Sequence, residues 1–292
     1  STLAAMGAHA LPITTSLMLR DTAEIFDHHP IDADMVAEQA RNVLEDITVA
    51  GWKVGFLGSA EAVSAVAEIL SDYPDVPLVS YLPNLGWLDD DQAQPYLEAF
   101  RELILPATEV LVGNHKTLTD FLLPDWDSER PASARELAVA AGERGTRFVL
   151  VTGIMLPTKG GKGTAGAPEQ FIDNVLASPQ GALTGEKFEM FDTSFVGAGD
   201  TLSAALAALL ARRVRRDLDV PTLWVVGIVS PIFFDSFWAI AHSMGAAFAT
   251  GAVLAAVVAI DCKDNLATSP SDDAGGAPDG AAASFEASDG PS

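Results

Sequence analysis

The chain has 292 residues, room for one large domain or two small ones, and 49% of them are hydrophobic, enough for a sizeable core. Its 40 Asp and Glu against 17 Lys and Arg give a formal net charge of −23, which excludes nucleic acid, whose phosphates require a basic patch, and binding to anionic membranes through the average charge. A phosphate ligand stays compatible, because glycine-loop amides and helix N-termini hold phosphate without net positive charge.

In chain order, Ala10–Leu19 reads as a strand and Ala33–Ile47 as a helix with apolar residues at helical spacing. Gly51–Ser59 is a strand and turn, and Ala60–Leu70 a helix. Val76–Pro83 and Glu109–Asn114 are strands with an acidic-started helix, Asp91–Leu105, between them. Ala134–Gly145 is a helix ending at glycine, and Arg147–Ile154 the strand after it. Strand followed by helix, repeated, predicts an α/β fold with a parallel sheet covered on both faces. In such sheets ligands lie at the carboxyl ends of strands, so the strand-to-helix turns are where a site is sought.

Phe195–Arg213, FVGAGDTLSAALAALLARR, opens on a glycine turn and continues as a helix of small residues. Thr222–Ile260 follows, with Asp235 and His242 as its only ionisable groups. Ser236–Ile260 alone exceeds the roughly 20 residues of a membrane span, and Arg212, Arg213, Arg215 and Arg216 lie just upstream, where a positive-inside flank belongs. Two readings stand: buried helices or a homodimer interface, and membrane association. Residues 263–292 are Ser, Asp, Gly, Ala and Pro with few large apolar side chains, and are predicted to be a disordered acidic tail. Cys262 is the single cysteine, so no intrachain disulfide or cysteine-based zinc site forms; with no signal peptide visible, a cytoplasmic location is expected.

Gly197-Ala198-Gly199-Asp200 carries the clearest chemistry. A glycine turn ahead of a helix presents backbone N–H groups without intrahelical partners, and the helix dipole adds positive potential. Developing phosphate charge is stabilised there, and Asp200 at the helix start can take a proton from an attacking hydroxyl. The structural alternative is an N-cap aspartate.

The stretch resembles the anion hole of ribokinase-like kinases, where Gly-x-Gly-Asp or Gly-x-Gly-Cys begins a helix rich in small residues. Three further stretches point to one branch. Met6–Thr22, Gly51–Leu70 (GWKVGFLGSAEAVSAVAEIL) and Leu103–Leu122 (LILPATEVLVGNHKTLTDFL) resemble, in order, segments of the hydroxymethylpyrimidine/phosphomethylpyrimidine kinases of thiamine biosynthesis. The resemblance covers Ser1 to Arg213. It implies a three-layer sandwich with a mostly parallel central sheet, forming one domain over residues 1–262, and ATP-dependent phosphorylation of hydroxymethylpyrimidine or its monophosphate with Mg2+. It implies Asp200 as base, Gly197, Ala198 and Gly199 as the anion hole, and Arg20, Val54, Gly55 and Phe56 at the substrate. Asn114, Thr152, Gly153 and Thr193 fall near the nucleotide. Pyridoxal kinase and a non-catalytic ligand-binding protein on the same fold are the alternatives.

The chain departs from the family pattern at several places. Phe56 replaces methionine, Arg20 replaces a ring-contacting glutamine, and Thr117 stands where a glutamate belongs, so metal ligands are unassigned. The family's "D-P-V" near the metal is replaced by Val79–Gly86. Its glycine-rich first segment has no counterpart before Ser1, so either a truncated chain or an incomplete site is expected. Among smaller signals, Val151–Gly166 is not a Walker A motif, because Gly163 rather than Ser or Thr follows Lys162; Lys159 and Lys162 remain point charges for a phosphate. His28 and His29 are adjacent and diverge on most backbones, Asp89–Asp91 reads as a solvated helix start, and Trp52 beside Lys53 reads as packing.

Overall fold

Alternating and helical patterns sort into one sheet between two helical layers in the computed structural model, which describes residues 2–156, 170–190, 195–218 and 224–228. A short helix, α1 (Thr2–Ala5), leads into β1 (His9–Ile13), the hairpin β2 (Ser16–Arg20) and β3 (Ile25–Pro30), and α2 (Ala33–Asp46). Then come β4 (Gly51–Val54), α3 (Ala60–Ser71), β5 (Leu78–Leu82), α4 (Asp90–Ala99), β6 (Val110–Asn114), α5 (His115–Leu122), α6 (Ala134–Gly142) and β7 (Phe148–Met155). Strands β8 (Phe171–Ser178) and β9 (Gly181–Glu189), helix α7 (Ala198–Leu218) and β10 (Trp224–Ile228) complete the described elements.

The large sheet runs β1-β10-β4-β5-β6-β7-β8-β9. It is parallel from β1 to β7, and β8 and β9 add antiparallel strands at one edge. Side chains alternate across it. Trp52, Val54, Leu111, Val149 and Val151 enter the core shared with α2 to α6. Val79, Val110, Val112, Phe148 and Leu150 face the other way, onto Leu206 and Leu210 of α7 and Leu3 of α1. The expected mostly parallel three-layer sandwich is therefore the fold.

Three expectations are corrected, and one element was not expected. Ala10–Leu19 is two strands, not one. Thr14 leaves the sheet because Gln39 of α2 takes its backbone: Thr14 N–H donates to Gln39 Oε1 at 3.2 Å, and Gln39 Nε2 donates to the Thr14 carbonyl at 3.2 Å. The helix expected over Asp91–Leu105 ends as α4 at Ala99, widens into a π-helical turn over Phe100–Ile104 and closes in a 3-10 turn at Leu105–Ala107, where Pro106 supplies no N–H. The β8–β9 hairpin was not expected. Within Thr222–Ile260, Trp224–Ile228 is neither buried helix nor span but strand β10, parallel to β1 on one side and β4 on the other. Ser236–Ile260, Cys262 and the 263–292 tail lie outside the described residues. Among the described residues no helix is long and apolar enough to cross a membrane.

Helix α6 shows how locally these ends are set. Ser133 Oγ accepts from the Glu136 N–H at 3.3 Å, while Glu136 Oε2 accepts from the Ser133 N–H at 2.9 Å, a reciprocal cap. Arg130 grips the same carboxylate through Nη1 at 2.8 Å and Nη2 at 2.5 Å. The Arg130 bonds first, then those from Ser133, hold the Glu136 carboxyl at about 2, down from 4.5. A depressed folded pKa adds stability that is present above the unfolded value and is lost as pH falls through the folded one. Glu136→Gln is thus expected to lower the melting temperature at about pH 7. The deficit should shrink as pH falls from 4.5 toward 2, read by thermal unfolding across a pH series.

Candidate active site

The site gathers at the carboxyl edge of β4 and β5, against the start of α7. Gly197 has φ +96°, a left-handed value that favours glycine, and it turns the chain into the helix. The Gly197 carbonyl receives both the N–H and the Oγ1 of Thr201, each at 3.0 Å, closing the first helical turn. The N–H groups of Ala198, Gly199 and Asp200 precede that first bond and have no intrahelical carbonyl to meet. The four residues singled out in the glycine turn are thus assembled as one helix start.

Alternation along β4 decides what faces Asp200. Trp52 and Val54 enter the core on the far side, and Trp52 packs edge-on against Tyr73 with ring centroids 5.7 Å apart. Lys53 between them must then point at α7, where it is 1% exposed. Its Nζ pairs with Asp200 Oδ1. A buried ammonium is tolerated only when paired, so the two side chains hold each other. Trp52 was read as packing and does enter the core, while its neighbour Lys53 was given no role and is ion-paired with Asp200. The missed signal was a lone lysine in an otherwise apolar, doubly covered strand.

Tyr81 of β5 closes the other side. Its ring centre lies 5.9 Å from Lys53 Nζ. A Cβ placed on Gly199 would stand 2.3 Å from Tyr81 Cε2 and Cζ and 2.4 Å from Oη, so only glycine lets the helix start approach the ring. Burial, and then the Asp200 charge, pushes the Tyr81 phenol up from its usual range.

The β2–β3 hairpin reaches over to the same turn. The Val196 N–H donates to the Thr22 carbonyl at 2.9 Å, and Arg20 Nη1 donates to the Val196 carbonyl at 3.2 Å and to the Asp21 carbonyl at 3.3 Å. Both backbone groups of the residue before Gly197 are therefore held by the hairpin. Burial lowers the Arg20 guanidinium from its usual range, opposed by Asp200 and then Asp21.

Val54, Gly55 and Phe56 are buried, and the Phe56 ring sits in an aromatic cluster, 5.5 Å from His28, 5.3 Å from Trp87 and 5.1 Å from Tyr96 by centroid. The turn is tied down through its backbone: the Phe56 carbonyl accepts from Thr15 Oγ1 at 3.1 Å, and the Leu57 N–H donates to Tyr96 Oη at 3.2 Å. His28 and His29 diverge as expected. His28 Nε2 lies 3.2 Å from the Gly58 carbonyl, while His29 is exposed beside Asp27 at 3.8 Å.

Asn114, Thr152 and Gly153 form a second group two strands along the same edge, about 10 Å away by strand spacing. Asn114 caps α5, its Oδ1 accepting from the Lys116 N–H at 3.0 Å. Thr152 pairs with Asn114 across β6 and β7 and donates from Oγ1 to the Gly113 carbonyl at 3.2 Å. Gly153 has φ +70°, and a Cβ there would stand 2.7 Å from Asn114 Nδ2. Thr193, Lys159 and Lys162 lie outside the described residues. No group of three or more His, Cys, Asp or Glu side chains able to hold a metal occurs among the described residues.

Comparison with known proteins bears on this arrangement. The family model described as phosphomethylpyrimidine kinase matches residues 1–218. The thiamine biosynthetic bifunctional enzyme of Arabidopsis thaliana is 28% identical over 214 residues, covering 72% of this chain and 38% of that protein, so the chain spans little more than a third of it. The hydroxymethylpyrimidine/phosphomethylpyrimidine kinase of Mycobacterium bovis is 29% identical over 255 residues, 80% of this chain and 86% of that one. The Bacillus subtilis pyridoxal kinase structure, an ADP complex, superposes with a TM-score of 0.56 over 72% of this chain and 76% of its own, at 22% identity, a likeness of fold.

Proposed function

This chain belongs to the phosphomethylpyrimidine kinase family, and on that premise we propose that it transfers the γ-phosphoryl group of ATP to hydroxymethylpyrimidine, its monophosphate, or both, in thiamine biosynthesis. The observation that carries the reading is Asp200 standing on the first turn of α7 beside the outward N–H groups of Ala198 and Gly199. The acceptor oxygen attacks the γ-phosphorus, the bond from that phosphorus to the β,γ-bridging oxygen breaks, and ADP leaves. The acceptor proton passes to the Asp200 carboxylate. The amides of Ala198, Gly199 and Asp200 stabilise the charge on the transferring group, aided by the dipole of α7.

Val54, Gly55 and Phe56 flank the acceptor ring through their turn. Arg20 approaches it as a donor without an acceptor atom, where glutamine would offer both. That difference keeps pyridoxal, another flat ring with a hydroxymethyl group, as a second acceptor to be tried. Asn114, Thr152 and Gly153 hold the nucleotide at the β6–β7 edge. Mg2+ is proposed to arrive on the ATP phosphates. The described residues do not build a ligand cluster for it, and no step is assigned through a protein-held ion. A cytoplasmic site of action accords with ATP as the donor.

The test is ADP release with magnesium-ATP against hydroxymethylpyrimidine, its monophosphate and pyridoxal in parallel. Turnover with one acceptor is expected, reduced in Asp200→Asn by about 10²-fold or more. Absence of turnover with all three in folded protein would leave ligand binding without catalysis.

A further inference from the structure

We infer that Lys53 is a positioning residue for phosphoryl transfer, acting by holding Asp200 through one carboxylate oxygen so that the other faces the acceptor hydroxyl. The inference rests on the kinase reading above. The backbone of Lys53 is held independently of Asp200: it lies on a central strand, between β10 and β5, with its neighbours Trp52 and Val54 locked in the opposite core. Its ammonium is almost wholly removed from water, its side chain 2% exposed, while the Asp200 side chain is 20% exposed. The pair is therefore asymmetric. The lysine end is buried and anchored, and the aspartate end looks toward the opening of the site.

Among the described residues the Asp200 carboxylate has one hydrogen-bonding partner, Lys53 at Oδ1, which leaves Oδ2 to the acceptor. An aspartate at a helix start has three staggered χ1 wells to choose from. The ammonium selects one of them. Tyr81 closes the far side of the ammonium, and the guanidinium of Arg20 adds positive potential at Asp200 from the hairpin. Lys53 touches neither acceptor nor leaving group in this scheme, so its removal should be felt in the rate of transfer and not in binding.

The experiment is steady-state kinetics on Lys53→Met and Lys53→Gln, alone and in the Asp200→Asn background, with folding followed by thermal unfolding. Lys53→Met is expected to lower kcat by about 30–100-fold, with KM for ATP and acceptor within about threefold. In the Asp200→Asn background the same change should cost no more than about threefold, because the group it acts through is already gone. Ethylamine should restore part of the rate to Lys53→Ala. In the unsubstituted protein, labelled with 15N-lysine, one ammonium resonance should exchange slowly with water and shift in Asp200→Asn, a readout that needs no Lys53 variant to fold.

A kcat unchanged in Lys53→Met, a loss in KM for ATP alone, full additivity with Asp200→Asn, or no slowly exchanging ammonium would each overturn the inference while leaving the kinase reading intact. An unsubstituted protein with no phosphotransfer would overturn both.

Discussion

Asp200→Ala is expected to destabilise the protein by about 3–5 kcal/mol, well beyond the usual cost of a surface truncation. The reason lies in Lys53, whose ammonium is buried under α7 and loses its ion partner when the carboxylate goes. Asp200→Asn should cost much less, since the amide oxygen can still accept from the ammonium. Lys53→Met on top of Asp200→Ala should recover a large part of the loss, because a paired polar set replaced by apolar groups is close to neutral. Urea unfolding of the three variants measures this. An Asp200→Ala midpoint equal to that of the unsubstituted protein would mean the pair does not persist in solution. The comparison also decides which variant reports on chemistry: asparagine removes the base, whereas alanine removes the base and loosens the site.

Gly199→Ala is the second large effect. Its new methyl would overlap the edge of Tyr81 at 2.3–2.4 Å, a separation that carbon atoms do not adopt. The phenol ring is rigid and packed half-buried against the core under α7, so the helix start must move instead. Overpacking of this kind costs about 1–3 kcal/mol in stability. Displacing the Ala198, Gly199 and Asp200 amides should lower kcat by about 10²–10³-fold, the scale of a lost oxyanion-hole donor. Tyr81→Ala in the same chain makes room and is expected to return part of both losses. Full activity in Gly199→Ala alone, measured as ADP release, would show that the amides play no part in the transfer.

The elements that were legible in the sequence share one trait: each buries a regular stripe. Helices α2 and α3 and strands β4 to β7 carry apolar residues at period 3.6 or in short apolar runs, and their positions follow within a few residues. The β8–β9 hairpin escaped because most of β9 is exposed and its GALTGEKFE offers no inward alternation. Strand β10 escaped for the opposite reason, since a continuous apolar run cannot be told from a buried helix by periodicity. In the site, the glycine turn and Asp200 were legible because one local motif contains them. Lys53 was not, since its partner is 147 residues away. Tyr81 was silent for the same reason: its place against Gly199 exists only after β5 and α7 have packed.

The insertion of β10 between β1 and β4 has a consequence for how the molecule comes into being. Among the described residues, β1 touches the rest of the parallel sheet only through a strand made after α7. Until residues 224–228 emerge, β1 has no neighbour in the sheet among the described residues, and β4 presents a bare edge to whatever other chain is nearby. Such a long-range closure is slow to form and leaves adhesive surface waiting. Synthesis of this protein therefore contains an interval in which β4 to β7 can pair while β1 cannot join their sheet, and the chain depends on residues 224–228 to bring β1 in.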